Sequence, residues 1–339
     1  MHADLIRARL ADGVRVRAPG RLHLGFLDPA ATLGRRFGSL GLVVSGFGTT
    51  LELAHAEADR FDAAPGCADE LARLEEHLQV LRRHTGRHAR VHLRLRETLP
   101  AHAGLGSGTQ LALALGRAFC TLLDIPLPTA QLATLLGRGA RSGIGIAGFD
   151  QGGLLLDGGP RADGAAAPLL ARIALPAQWR VILALDPRCR GLSGAQERAA
   201  IAALAPLPQA DAAAICHEVL MRILPAAADA EFAPFAAGLT AVQRRLGRHF
   251  APAQDGCAFT SAAVGRAIDW IGAHTPAGTG QSSWGPTGFA VVASAEEARH
   301  AVAAALAAGA IDAALHLVVA APRNHGAQLE ALAPATCPI

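Results

Sequence analysis

The stretch Leu99-Pro100-Ala101-His102-Ala103-Gly104-Leu105-Gly106-Ser107-Gly108-Thr109-Gln110 stands between two segments of different periodicity. Before it, residues 90–97 alternate, with Val91, Leu93 and Leu95 on one face and Arg90, His92, Arg94 and Arg96 on the other. That period of two predicts a half-buried strand. After it, residues 109–123 are apolar over a helical length and end at Asp124-Ile125-Pro126. A strand therefore feeds a helix through a turn of three glycines. Glycines let the backbone approach an anion closely, and successive N–H groups make a concave donor cradle. The helix adds its N-terminal partial positive charge, and Ser107 and Thr109 add hydroxyls. The same turn also reads as a plain strand-to-helix connection with a helix cap. It is not a Walker A loop, because GxxxxGK[ST] is absent, and its G-x-G-x-G spacing is not the Rossmann fingerprint.

Working outward, residues 14–25 predict a strand entering a turn, and residues 40–53 a second strand or a hairpin. Leu71, Leu74, Leu78 and Leu81 recur at helical spacing within 68–83, and residues 129–136 predict a short helix. A second glycine-rich stretch covers 143–159. The Pro-, Ala- and Gly-rich residues 158–168 mark the expected boundary between a domain of residues 1–165 and another of residues 166–339. Beyond it, residues 179–186 predict a buried strand, followed by three or four Ala-rich helices between Gly194 and Gly272. The chain closes as strand 287–293, helix 295–308 and strand 314–320, which suits an α+β layer with helices on one face of a sheet.

Composition narrows the chemistry. The 339 residues are 51% hydrophobic, ample for a sizeable core. A net charge of +3 implies neither a nucleic-acid nor a membrane partner. All 31 basic residues are Arg, and Tyr is absent too. Without lysine there is no Schiff base and no amine base, whereas the planar fork of Arg suits phosphate and carboxylate. The six cysteines form no CxxC pair and no apolar run is long enough to span a bilayer, so a cytoplasmic protein is expected. His84, His88 and His92 fall at four-residue intervals, but Gly86 interrupts any helix that would align them as metal ligands.

Three motifs in order carry a resemblance. The loop at 99–110 resembles the phosphate-binding motif of the GHMP small-molecule kinases. Ala18-Pro19-Gly20-Arg21-Leu22-His23-Leu24-Gly25 is similar to that superfamily's first, substrate-lining motif, and residues 278–289 occupy the place of its third. The departures point more narrowly. Gln281-Ser282-Ser283-Trp284-Gly285-Pro286 replaces the usual closing loop, the first motif continues as R-L-H-L-G-F-L-D, and Gly143 to Gly153 precedes Asp157-Gly158-Gly159. With these features the chain resembles the β-ribofuranosylaminobenzene 5'-phosphate synthases, built on the kinase scaffold but transferring no phosphate from ATP.

The resemblance implies a two-domain GHMP-kinase-like architecture with a ferredoxin-like C-terminal domain. It implies condensation of phosphoribosyl pyrophosphate with 4-aminobenzoate or 4-hydroxybenzoate, releasing pyrophosphate and carbon dioxide, in tetrahydromethanopterin biosynthesis. Mg²⁺ is expected to accompany the pyrophosphate, with no protein ligand evident, and a homodimer is expected from base rates alone. Arg21 and His23 are the candidates for binding the benzoate or handling a proton. Asp150, with Asp28 behind it, is the candidate carboxylate beside the cationic ribosyl carbon. Gly104, Gly106, Ser107, Gly108 and Thr109 are expected to bind phosphate, Ser282 and Ser283 to donate to it, and Trp284 to stack on the ring. The competing expectations are an ATP-dependent GHMP kinase for a small alcohol and a non-catalytic relative that keeps the cleft.

Overall fold

The computed structural model describes residues 12–163, 165–192 and 194–332. Its larger sheet begins with strands β1 (Gly13–Asp28) and β2 (Phe37–His55), paired antiparallel from Gly13 opposite Ala54 to Asp28 opposite Phe37. The second segment is thus one long strand and not a hairpin. The register slips between Pro19 and Gly20 and again between His23 and Gly25. Proline has no N–H for the ladder and is tolerated at such a bulge, and bulges re-aim the side chains beside them. Strand β3 (Arg60–Ala63), helix α1 (Leu71–Thr85), strand β4 (Val91–Glu97) and helix α2 (Ser107–Leu122) follow. Val91, Leu93 and Leu95 are fully buried, as the alternation predicts. Helix α1 ends where Gly86 turns left-handed at φ +64°, so His84 and His88 share no helix, and His92 instead bonds Asp62 at 2.6 Å.

Helices α3 (Thr129–Leu135) and α4 (Ile144–Asp150) lead to strands β5 (Leu154–Asp157) and β6 (Leu169–Ile173). The sheet order is β11-β1-β2-β4-β3, with β5 on the first half of β2 and β6 outside β5. The smaller sheet is built from β7 (Arg180–Leu185), then, after helices α5 (Gly194–Ala203), α6 (Gln209–Glu218), α7 (Leu224–Ala228), α8 (Phe232–Phe250) and α9 (Ala262–His274), from β8 (Gly278–Gln281) and β9 (Thr287–Val292). Helix α10 (Ala295–Ala307) and strand β10 (His316–Ala320) complete it. Its order β10-β7-β9-β8, all antiparallel, is the fourth-first-third-second arrangement of a ferredoxin-like layer, and α9 and α10 share one apolar cluster with it.

The expected division at residue 165 does not follow the sheets. Strand β6 belongs to the larger sheet, and β11 (Gln328–Ala331) returns to pair with β1, Val14 opposite Ala331. One core cluster runs through both sheets, joining Leu22, Leu42 and Leu154 to Val181, Leu183 and Phe289. The seam between the sheets is therefore packed, and the functional cleft lies on it. No helix among the described residues is long and apolar enough to cross a membrane.

Candidate active site

The turn that opens the sequence reading becomes the floor of a cleft of about 530 Å³. Gly104 and Gly106 both take positive φ, +82° and +84°. A Cβ on Gly104 would lie 2.3 Å from the Ser282 carbonyl oxygen, so only glycine lets the third motif pack on the loop. Gly106 is the N-cap of α2 and brings no side chain to cap it. The first-turn N–H groups of Ser107 and Gly108 consequently have no partner within the helix and lie at its positive end. Gly104, Gly106, Ser107, Gly108 and Thr109 all line the cleft.

Arg21 comes from β1 just after the first bulge. Its guanidinium donates to the Gly104 carbonyl at 2.8 Å, and its backbone N–H donates to Leu105 O at 3.1 Å. His23 follows on the same strand and is 4% exposed. Its Nδ1 accepts the Gly25 N–H at 3.3 Å across the second bulge, which places the ring proton on Nε2. Nε2 has no hydrogen-bond partner. Burial, then the charges of Arg21 and Arg141, bring the pKa of His23 down to about 3. His23 is therefore a neutral imidazole offering an N–H, not a proton carrier at ordinary pH.

Three arginines complete the wall that the sequence reading did not single out: Arg73 on α1, and Arg138 and Arg141 in the turn between α3 and α4. Arg138 lies over the phosphate loop, 3.1 Å from where a Cβ on Gly108 would sit, and its guanidinium meets His77 Nε2 at 3.4 Å. Burial, then Arg73, lower its pKa, while burial, then Arg138 and Arg73, bring that of His77 down to about 4. Glu70 pairs with Arg73 at 2.8 Å and works the other way on Arg138; beyond that one carboxylate, partly buried cations crowded together gain from an added anion. Asp157, fully buried, holds the turn in place by accepting from the Ser142 hydroxyl at 2.9 Å, Gly143 N at 2.7 Å and Gly159 N at 2.8 Å.

Several expected residues fall elsewhere. Asp150 does not line the cleft: it is exposed at the end of α4 and accepts from the Thr129 hydroxyl at 2.7 Å. Asp28 is occupied by Ala30 N, Leu33 N and the Thr32 hydroxyl of its own loop. Neither stands beside a ribosyl carbon in the cleft, and no carboxylate is among the described residues that line it. Ser282 is fully buried, its hydroxyl accepting from His23 N at 2.9 Å and donating to Gly104 O at 2.8 Å. It ties the first motif to the phosphate loop and is not among the residues that line the cleft. Ser283 and Trp284 do line the cleft. Trp284 is 3% exposed and packs edge-on to Phe250 at 4.9 Å, so it is core filling and wall at once.

The cleft can thus hold an extended polyanion. It does not fit a protein-bound Mg²⁺, which takes carboxylate and water oxygens, whereas this wall supplies guanidinium, imidazole, hydroxyl and N–H groups.

The geometry has known counterparts. Residues 72–156 match the family model for the GHMP kinases N terminal domain. Among solved structures, homoserine kinase from Cytophaga hutchinsonii superposes with a TM-score of 0.68 at 17% identity, over 95% of this chain and 98% of that one. Phosphomevalonate kinase from Streptococcus pneumoniae gives 0.67 at 12% identity, over 92% and 100%. At those identities the likeness shows the fold alone. Among curated sequences, β-ribofuranosylphenol 5'-phosphate synthase from Methanothermobacter thermautotrophicus is 29% identical over 298 residues, 81% of this chain and 88% of its own. The enzyme of that name from Archaeoglobus fulgidus is 36% identical over 242 residues, 68% of this chain and 75% of its own. A kinase-type fold whose phosphate loop is walled by arginines, with sequence identity at that level, places the chain in the β-ribofuranosylphenol 5'-phosphate synthase family.

Proposed function

We propose that this chain joins the phosphoribosyl group of phosphoribosyl pyrophosphate to the carboxyl-bearing ring carbon of 4-hydroxybenzoate, releasing pyrophosphate and carbon dioxide. The reaction is a decarboxylating phosphoribosyl transfer that serves methanopterin biosynthesis. The observation that carries it is the arginine-walled, carboxylate-poor cleft over the Gly104–Thr109 loop, in a chain whose relatives are named for a ribosylphenol phosphate product. That name favours the 4-hydroxy acceptor over 4-aminobenzoate.

The ribosyl C1–oxygen bond breaks with its electron pair leaving on pyrophosphate. The N–H groups of Ser107 and Gly108 and the guanidiniums of Arg138 and Arg141 strengthen their hold as that charge develops. The ring carbon para to the hydroxyl adds to the cation-like C1, forming the carbon–carbon bond and a ring cation. The bond to the carboxyl carbon then breaks, its electron pair restores aromaticity, and carbon dioxide departs. No ring proton has to be removed, so a neutral His23 is no obstacle. A single neutral donor is also the better partner for the carboxylate, because a tight ion pair would stabilise it against loss. Mg²⁺ accompanies the pyrophosphate as its counter-ion in this reading, without a protein ligand. An ATP-dependent kinase is not favoured: phosphoryl transfer relies on a metal bridging the phosphates and a group to orient the attacking hydroxyl. The described wall has no carboxylate for either task.

The test is to incubate the protein with Mg²⁺, phosphoribosyl pyrophosphate and carboxyl-labelled 4-hydroxybenzoate and to count released carbon dioxide. Release that requires both substrates is expected. No release with either the 4-hydroxy or the 4-amino acceptor would overturn the reading.

A further inference from the structure

Helix α1 brings a set of charged and polar side chains to the arginine end of the cleft. Leu74, Leu78 and Leu81 bury its apolar side. Glu70, which is its N-cap, Arg73 and His77 follow one another at intervals of three and four and so share a second side. Arg73 lines the cleft, and Glu70 is not among the residues that do. The Glu70 side chain is only 10% exposed and accepts from Arg73 Nη1 at 2.8 Å.

The turn carrying Arg138 meets this side of α1. It leaves α3 by a Schellman motif, in which Gly137 at φ +68° donates to Thr134 O at 3.1 Å and Arg138 N donates to Ala133 O at 2.7 Å. The residue at the Arg138 place of that motif often packs an apolar side chain back onto its own helix. An arginine there is free for another task. Its Nη2 lies 3.4 Å from His77 Nε2, and its Nη1 lies 3.1 Å from where a Cβ on Gly108 would sit. A guanidinium only donates, so His77 Nε2 is the acceptor and the ring proton is on Nδ1. Arg138 is therefore fixed at the backbone by the motif and at its head by a neutral ring. Arg73 is held differently, by a carboxylate on its own helix, through a pair in which the arginine is 38% exposed. Such a pair contributes little and exchanges readily.

We propose that Glu70 is an internal competitor for Arg73: it holds the arginine while the site is empty, yields it to the pyrophosphate group of the donor, and takes it back as pyrophosphate leaves. The inference rests on the transfer reaction proposed above and adds to it the departure of the leaving group. Pyrophosphate carries more charge than one carboxylate and offers more oxygens, so it displaces Glu70 when it lies over the Gly108 end of the loop. Glu70 is tethered three residues away and is always at hand. Its return gives Arg73 a partner beside Arg138, and the two guanidiniums do not face each other uncompensated in the vacated site. A pocket of arginines without such a competitor would retain its product, and product release commonly limits turnover. Glu70 touches no substrate, so it is a positioning residue that acts through Arg73.

The test is calorimetric titration of the whole protein with inorganic pyrophosphate. Glu70→Gln, which keeps the size and removes the charge, should bind pyrophosphate about two- to fivefold more tightly, the worth of a half-exposed pair. A residue of merely structural importance would weaken binding when replaced. Unchanged or weaker binding by Glu70→Gln would overturn the proposal. Arg73→Met should weaken pyrophosphate about tenfold, the loss of a charge-assisted contact. Adding Glu70→Gln to Arg73→Met should then change the affinity by less than about 1.5-fold, because the gain depends on the pair. The same gain with and without Arg73 would show a general effect of lost negative charge and would also overturn the proposal. Failure here is separable from failure of the reaction. Carbon dioxide release by the unaltered protein, with pyrophosphate affinity indifferent to Glu70→Gln, sinks only the exchange. No release from either acceptor sinks the transfer reading, and the leaving-group role of Glu70 with it.

Discussion

Arg138 shows how a single side chain can serve the ligand at the expense of the fold. It is largely buried, crowded by Arg73, and meets an imidazole where a carboxylate would be its natural partner. Replacing it with Met, which keeps the volume and removes the charge, should raise the KM for phosphoribosyl pyrophosphate about 10- to 100-fold, the loss of a charge-assisted bond to phosphate. The same variant should melt at the same temperature or higher, since it sheds a desolvation cost. Steady-state kinetics and a thermal melt together check this; a lower melting temperature with an unchanged KM would contradict it. Asp150 makes the opposite point. Its place in a glycine-rich motif made it a candidate, but it lies outside the cleft on Thr129, so Asp150→Asn should change turnover less than about threefold, a surface-type effect. A motif gives order along the chain, not the direction in which a side chain leaves the backbone. Arg21 was legible because a Pro-Gly-Arg turn carries its own geometry. Arg73 and Arg138 were not, because a helix and a turn far apart in sequence bring them together.

At the scale of elements, the strand, glycine turn and helix around residue 104 could be read from periodicity alone, since burial on one face imposes a period of two and burial along a helix imposes its own. The four-residue strands β3, β5, β8 and β11 were missed, being too short for any period to show. The turn carrying Arg138 and Arg141 was also invisible as part of the site, because what fixes it is the buried Asp157 on the neighbouring strand. Burial raises the pKa of this carboxylate, and two backbone N–H groups and a hydroxyl offset only part of that rise. Asp157→Ala should leave those donors unpaired and cost about 2–4 kcal/mol of stability. It should also raise the KM for the phosphorylated donor more than that for the benzoate, because Ser142, which Asp157 holds, and Arg141 next to it both line the cleft. Denaturant unfolding and two-substrate kinetics on one preparation separate the two effects. Equal rises in both constants would mean that Asp157 supports the whole fold and not this wall.

The whole molecule brings two sheets together around one core, and the seam between them concentrates partly buried positive charge. A chain-wide net charge of +3 conceals this, because Arg94 and Arg96 of the exposed β4 face are matched by Glu52, while four arginines line a cleft that has no carboxylate among its described lining residues. The consequence is a pH dependence set by imidazoles kept neutral. Folding brings His23 from the ordinary 6.5 down to about 3 and His77 down to about 4. The unfolded chain therefore binds protons that the folded protein refuses. The stability held in these two groups is whole above pH 6.5 and is lost as the pH falls from there toward 4 and 3. At pH 5 the loss from His23 alone is about 2 kcal/mol; half-buried His77 adds a smaller amount, reduced by solvent screening. The paired carboxylates do not contribute in this window, since unfolded Asp and Glu take up protons only near pH 4. Melting temperatures recorded from pH 7.5 to 5 should thus fall by several degrees. His23→Gln, which keeps a side chain able to accept the Gly25 N–H, should remove most of that fall. A curve as steep in the variant as in the parent would mean that His23 takes up its proton in the folded protein, and the neutral donor assigned to the cleft would have to be abandoned with it.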